Sequence, residues 1–209
     1  GFPGNLDVTV EYSLSRDSAL HINYKATTDQ PTVLNLTNHA YFNLKGEGEG
    51  GIHDHTLQVL SDEYIPYNEE TLPIGTVAPV EGTPMDFRQP TLVGERINLP
   101  FFAPGLGIDN GWALPGWNAK KRNSAPQKVA VVEGGNLTME VWTNFPCLQV
   151  YTGNYVEKHE GKSGRMYDVQ TAICLEAEDF PDAVNQPAFP TTVLRPGETF
   201  RRETIYKFV

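Results

Sequence analysis

Near its start the chain alternates apolar and polar residues with a period of two: Leu6, Val8, Val10, Tyr12 and Leu14 interleave with Asp7, Thr9, Glu11 and Ser13. Successive side chains of a strand point to opposite faces, so this run predicts a strand with one buried and one wet face. After the polar turn Ser15-Arg16-Asp17-Ser18, Leu20, Ile22, Tyr24 and Ala26 alternate with His21, Asn23, Lys25 and Thr27. The two runs predict an antiparallel hairpin. Val33 to Leu36 begins a third run, and further β-like stretches are Thr56 to Leu60, Val129 to Val132, Leu137 to Trp142, Leu148 to Tyr151, Ala172 to Glu176 and Thr204 to Phe208. Glu133-Gly134-Gly135-Asn136 reads as a turn between two of them. No segment sustains the helical spacing of apolar residues over the roughly ten positions a helix needs, so helices should be short or absent. Two connections, Lys45 to Asp54 and Pro100 to Asn123, are long for a compact domain, and loops of that kind usually carry function. Neither a repeat nor a shift in composition marks a boundary, so residues 1–209 are expected to form one all-β domain.

Composition narrows the functions open to such a domain. Acidic residues number 26 against 16 Lys and Arg, a net charge of −10, and no basic cluster offers a face for phosphates, which argues against nucleic acid and anionic membrane surfaces as partners. No apolar run reaches the roughly 18 residues of a spanning helix. Gly1 stands where an initiator Met is expected, which leaves a removed leader or an upstream segment open. Cys147 and Cys174 are too few for a disulfide framework and are read as reduced thiols, which favours a cytoplasmic location.

Candidate chemistry is limited by what is absent. The chain has no Cys-x-x-Cys, His-x-x-x-His or His-Glu-x-x-His spacing, and His53 and His55 alternate around Asp54, so no metal site is predicted. Nor is there a nucleophile elbow, a Walker loop or a dinucleotide fingerprint. Acid/base groups in unusual local sequence remain. His39 lies where a strand-like run enters the Gly-rich loop, and its position fits either a satisfied structural imidazole or a general acid or base. Glu176 ends the apolar stretch Ala172-Ile173-Cys174-Leu175, as an ordinary edge carboxylate or as one perturbed by burial. Asp109, in Gly107-Ile108-Asp109-Asn110-Gly111-Trp112, is a turn-former or a ligand group. Phe42, Trp112 and Tyr151 lie beside these polar groups in sequence, and flat apolar faces next to hydrogen-bonding side chains suit a pyranose ring. Any one of them taken alone reads first as a core aromatic.

Motifs spread along the chain carry a closer resemblance. They are Leu36-Thr37-Asn38-His39-Ala40-Tyr41-Phe42-Asn43-Leu44, Asp54-His55-Thr56-Leu57-Gln58, Gly82-Thr83-Pro84-Met85-Asp86-Phe87, Val150-Tyr151-Thr152-Gly153-Asn154, Pro181-Asp182-Ala183-Val184-Asn185-Gln186-Pro187 and Leu194-Arg195-Pro196-Gly197-Glu198. In this order they resemble the aldose 1-epimerases, the galactose mutarotases. The resemblance implies a large antiparallel β-sandwich, the galactose mutarotase-like supersandwich, and interconversion of the α and β anomers of free aldohexoses without metal or cofactor. Carried over by motif, His39 matches the family's general acid, Glu176 its general base and Asp109 its sugar-binding aspartate, while Gln149 matches a position that contacts the sugar in some members. Asp109 is followed here by Asn-Gly-Trp, where many members have a His and an apolar residue.

One departure concerns extent. The family's N-terminal side supplies an Arg and a second His, in a Leu-His-Gly-Gly type segment, and neither motif occurs in these residues. The resemblance therefore implies a sandwich incomplete at its N-terminal side, the C-terminal portion of a catalytic domain, whose partner is an N-terminal half or a separate chain. Three other readings stay open. A hexose-6-phosphate epimerase of the same superfamily would need basic residues for the phosphate, with Lys120-Lys121-Arg122 as the candidate. A non-catalytic carbohydrate-binding sandwich would keep the aromatics without needing His39 and Glu176 together. A structural half would be active only with its partner.

Overall fold

The computed structural model describes residues 1–118 and 125–209, so the Lys120-Lys121-Arg122 run lies outside the described residues. In chain order the strands begin β1 (Leu6–Leu14), β2 (Ala19–Thr28), β3 (Thr32–Val33), β4 (Thr56–Val59), β5 (Glu63–Ile65), β6 (Ala78–Pro79), β7 (Thr91–Leu92) and β8 (Asp109–Ala113). They continue with β9 (Gln127–Gly134), β10 (Leu137–Thr143), β11 (Cys147–Tyr151), β12 (His159–Glu160), β13 (Met166–Tyr167), β14 (Cys174–Glu178), β15 (Val193–Leu194) and β16 (Phe200–Phe208). Among the described residues, helix is confined to one four-residue α-turn, α1 (Val93–Arg96), and two 3-10 turns. Among the described residues no helix is long and apolar enough to cross a membrane.

Two antiparallel sheets form the body. The larger has the order β1-β2-β16-β10-β9-β4-β7, and the smaller β14-β11-β8-β5-β6. One continuous core lies between them, with Ile22, Tyr24, Leu57 and Val141 from the first sheet meeting Trp112, Leu148, Val150 and Leu175 from the second. This is the face-to-face packing of a β-sandwich, each strand turning alternate residues inward. The β1–β2 hairpin has the predicted pairing, with Leu14 opposite Leu20, and the two-residue connection between β9 and β10 places Gly135 at φ 58°, where a glycine is favoured.

Two expectations need correction. β1 has no buried face: Val8, Val10 and Tyr12 are 43%, 41% and 59% exposed, and Leu14 is 82% exposed. Their cross-strand partners Ala26, Tyr24 and Ile22 are buried, so the apolar face of β1 points to the core side at the outer edge of the larger sheet, beyond the cover of the smaller one. Pro100 to Asn123, read as one long loop, contains β8, the middle strand of the smaller sheet. Asp109-Asn110-Gly111-Trp112-Ala113 carries no run of alternating apolar residues because one face of this strand is polar or bare where it borders a cavity.

Candidate active site

Three strands of the smaller sheet build the floor of the site. In antiparallel register Asp109 of β8 pairs with Tyr151 of β11, which pairs with Cys174 of β14; in the next row Gly111, Gln149 and Glu176 are aligned. Residues directly opposite one another share a face, so Asp109, Gln149 and Glu176 all point the same way. They line a cavity of about 510 Å³ together with His39, Tyr67 and Tyr151.

His39 reaches this floor from outside the sheet because its segment is fastened along β14. The Asn35 amide and the Asp179 backbone exchange two 2.9 Å hydrogen bonds, and Thr37 Oγ1 donates to the Ala177 carbonyl at 3.0 Å. On the far side Phe42 and Ile173 exchange backbone bonds of 2.9 and 2.8 Å. Between these fastenings His39 Nε2 comes to 3.4 Å from Glu176 Oε1. The imidazole is stacked on Tyr41, with ring centroids 4.9 Å apart, and meets the Tyr151 ring edge-on at 5.7 Å. Its side chain is 45% exposed, whereas Glu176 is buried.

Burial governs the charge on the floor. It lifts the Glu176 carboxyl to about 7, and the nearby Asp109 carboxyl adds to the rise. Asp109 is itself raised by burial, opposed by a 2.7 Å hydrogen bond from Gln149 Nε2 and by His39. Glu178, two residues along β14 and on the same face, is pushed to about 8 by burial and by the acidic groups around it. A carboxyl lifted toward neutrality beside an imidazole can accept and return a proton at ordinary pH.

The motifs around the floor act as fasteners. Thr152 Oγ1 accepts the Ile108 N–H at 3.1 Å, and Asn154 Nδ2 donates to the carbonyls of Gly105 and Ile108 at 2.8 and 3.0 Å. These bonds fix the residue before Asp109. Asp182, at the cavity rim, accepts from Gln186 Nε2 at 2.9 Å, and that nitrogen also donates to the Pro73 carbonyl at 3.1 Å. His55 is wholly buried and accepts the Leu44 N–H at 3.0 Å, so its imidazole supports the Gly-rich loop. Among the described residues no group of His, Cys, Asp and Glu is arranged to hold a metal ion.

All four site residues singled out in the sequence, His39, Glu176, Asp109 and Gln149, line the one cavity. The aromatic expectation is corrected in part. Trp112 is wholly buried, donating Nε1–H to the Met85 carbonyl at 3.1 Å and packing edge-on against Phe87. One residue on from Gly111, it takes the opposite face of β8 and enters the core. Phe42 packs on Tyr206, away from the cavity. Tyr151 does line it, and the other aromatic walls are Tyr41, Tyr67 and Tyr155, which the sequence reading passed over together with Glu178. Tyr41 and Glu178 each stand two positions from a chosen residue, a period-two signal that could have found them. Tyr67 had no such signal.

Comparison with known proteins fits this geometry. The family model described as aldose 1-epimerase matches residues 1–207. The galactose mutarotase of Rattus norvegicus is 41% identical over 209 residues, a match that covers all of this chain and 59% of the relative. The aldose 1-epimerase of Escherichia coli (strain K12) is 36% identical over 216 residues, covering all of this chain and 60% of the relative. Among solved structures, a GalM/aldose epimerase homologue from C. elegans superposes with a TM-score of 0.85 at 28% identity, covering 100% of this chain and 61% of that one. Galactose 1-epimerase from Lactobacillus acidophilus gives 0.79 at 28% identity, covering 100% and 58%. The chain thus spans about three fifths of the length of these relatives. From the first motif to the last strand, this chain belongs to the aldose 1-epimerase family.

Proposed function

We propose that this chain carries the acid/base pair of an aldose 1-epimerase, which interconverts the α and β anomers of free aldohexoses such as glucose and galactose. The observation that carries this reading is the approach of His39 Nε2 to Glu176 Oε1, 3.4 Å, at the floor of a cavity walled by tyrosines. Mutarotation opens a hemiacetal and closes it on the other face. Glu176 as carboxylate removes the proton from the O1 hydroxyl while His39, protonated, delivers one to the ring oxygen; the C1–O5 bond breaks and C1 becomes the aldehyde. After rotation about C1–C2 the two groups exchange duties: O5 loses its proton to the imidazole as it attacks C1, and the new O1 takes one from Glu176. Protons balance over the cycle, so the steps call for no redox partner.

Asp109 and Gln149 are the proposed sugar-holding groups. Four carboxyl groups, those of Asp109, Glu176, Glu178 and Asp182, line the cavity, and among the described residues neither Lys nor Arg joins them, which favours a neutral sugar over a hexose 6-phosphate. The uncovered apolar face of β1 supports a further part of the proposal: residues 1–209 act as the C-terminal portion of a larger β-sandwich, completed by an N-terminal half or a separate chain. We place the protein in the cytoplasm, where the buried, unpaired thiols of Cys147 and Cys174 stay reduced.

Polarimetry on freshly dissolved α-glucose or α-galactose tests the reading, with the chain alone and with the candidate partner segment added. His39→Asn and Glu176→Gln should each slow anomer exchange by about two to four orders of magnitude, the range that positioned acid/base groups supply. Native-rate mutarotation by either variant would refute the assignment.

A further inference from the structure

Gln149 is held at both ends. Its Nε2 donates to Asp109 Oδ1 at 2.7 Å, and its Oε1 accepts from the Tyr67 hydroxyl at 2.8 Å. The direction of this chain of bonds is fixed by chemistry. An ionised carboxylate only accepts, so it requires the amide NH2, which turns the amide oxygen toward Tyr67 and makes the phenol the donor. Burial keeps Tyr67 a neutral phenol, with its ionisation pushed well above the usual range, so the donor is present at every pH the protein meets. Space for the arrangement comes from Gly111, the neighbour of Gln149 on β8. A Cβ there would stand 3.1 Å from the Tyr67 hydroxyl and 3.2 Å from both Gln149 Oε1 and Cys147 Sγ.

We infer that Tyr67 is a positioning residue: by donating its hydroxyl hydrogen to Gln149 it holds the amide NH2 on the Asp109 carboxylate, ready for a sugar hydroxyl. The inference rests on the proposed role of Asp109 at the sugar. Without the phenolic hydrogen the amide is free to turn and present its oxygen to Asp109, an arrangement that favours the protonated acid. Besides Tyr67, the titratable groups coupled to Asp109 are His39, which acts on it, and Tyr151, Cys174, Glu176 and Glu178, on which it acts; Tyr67→Phe leaves all five side chains in place.

The test is an NMR titration of the unliganded, isotope-labelled full chain, following the Asp109 carboxyl carbon and the Gln149 side-chain amide. In Tyr67→Phe the Asp109 midpoint should rise by about one pH unit, the size of one lost hydrogen bond to a charged group. Gln149→Met should raise it similarly, and Tyr67→Phe added to Gln149→Met should do nothing more. An unchanged midpoint in Tyr67→Phe overturns the inference, as does an equal further rise in the Gln149→Met background. Should Tyr67→Phe fail to fold, Gly111→Ala takes its place, with a raised midpoint expected and an unchanged one decisive against. Polarimetry on the native chain with its partner segment separates the two readings: absent mutarotation defeats the proposed function, while the titration still decides the role of Tyr67.

Discussion

Burial and the Asp109 carboxyl lift Glu176 to about 7, and this one shift has consequences for both rate and stability. As the proposed base, Glu176 must be ionised, so kcat/KM should rise as pH increases through about 7 instead of through the ordinary carboxyl range. Stability runs the other way. The folded value lies above the ordinary one, so the folded protein keeps a proton that the unfolded chain has already released. The contribution is complete below the unfolded value, near 4.5, and is lost as pH rises through about 7. Glu176→Gln, which cannot ionise, should therefore melt higher than the native protein at about pH 8 and converge with it near pH 4. Thermal melts across pH check this, and a variant that melts lower at alkaline pH would show that the carboxylate is better paired than its burial implies. At this scale the sequence was informative about identity: His39 and Glu176 stood out by their neighbours. Their meeting was not legible, because the fastenings that bring them together join residues far apart along the chain, such as Asn35 with Asp179.

Elements position the site through bonds that no pattern of apolar residues reveals. β8 presents Asp109 because Asn154, beyond the end of β11, holds the carbonyls of Gly105 and Ile108. Gly107 makes room for this clamp: its φ is 145°, and a Cβ there would fall 2.3 Å from Asn154 Oδ1. Asn154→Ala would take this donor from the Gly105 carbonyl, while the Ile108 carbonyl keeps the Thr152 N–H at 3.0 Å, a cost of about 1–3 kcal/mol. We expect a lower urea midpoint together with weaker sugar binding, since Asp109 loses its support. Native stability in this variant would mean that the clamp is dispensable. Strands with alternating apolar residues, such as β2 and β10, were readable directly from the chain. β8 was not, because its cavity face holds Asp109 and Gly111, and a face that borders a cavity lacks the alternation that marks a strand.

Across the whole molecule the outstanding feature is the uncovered edge. Among the described residues β1 pairs with no strand but β2, and it exposes Val8, Val10, Tyr12 and Leu14 on the side where its neighbour is buried. An unpaired edge beside an apolar strip is a template for association. The chain by itself should therefore self-associate with rising concentration, and Val10→Lys combined with Tyr12→Lys should suppress this while keeping the far-ultraviolet spectrum of a β-protein. Sedimentation velocity checks both expectations, and a native chain that stays monomeric at high concentration would show that the strip is not adhesive. If the proposed partner segment covers this face, adding it should also suppress association in the unaltered chain.

The sequence by itself determined the all-β class, the β1–β2 hairpin, the family, and four of the residues that line the cavity, because period-two alternation and local motifs are properties of neighbouring residues. Tertiary structure alone decided which side of each strand is covered, that Trp112 belongs to the core and Tyr67 to the cavity wall, and that a buried carboxyl sits 3.4 Å from an imidazole. Those outcomes depend on which strands become neighbours in the sheets. Alternation assigns residues to two faces, but only packing says what each face meets.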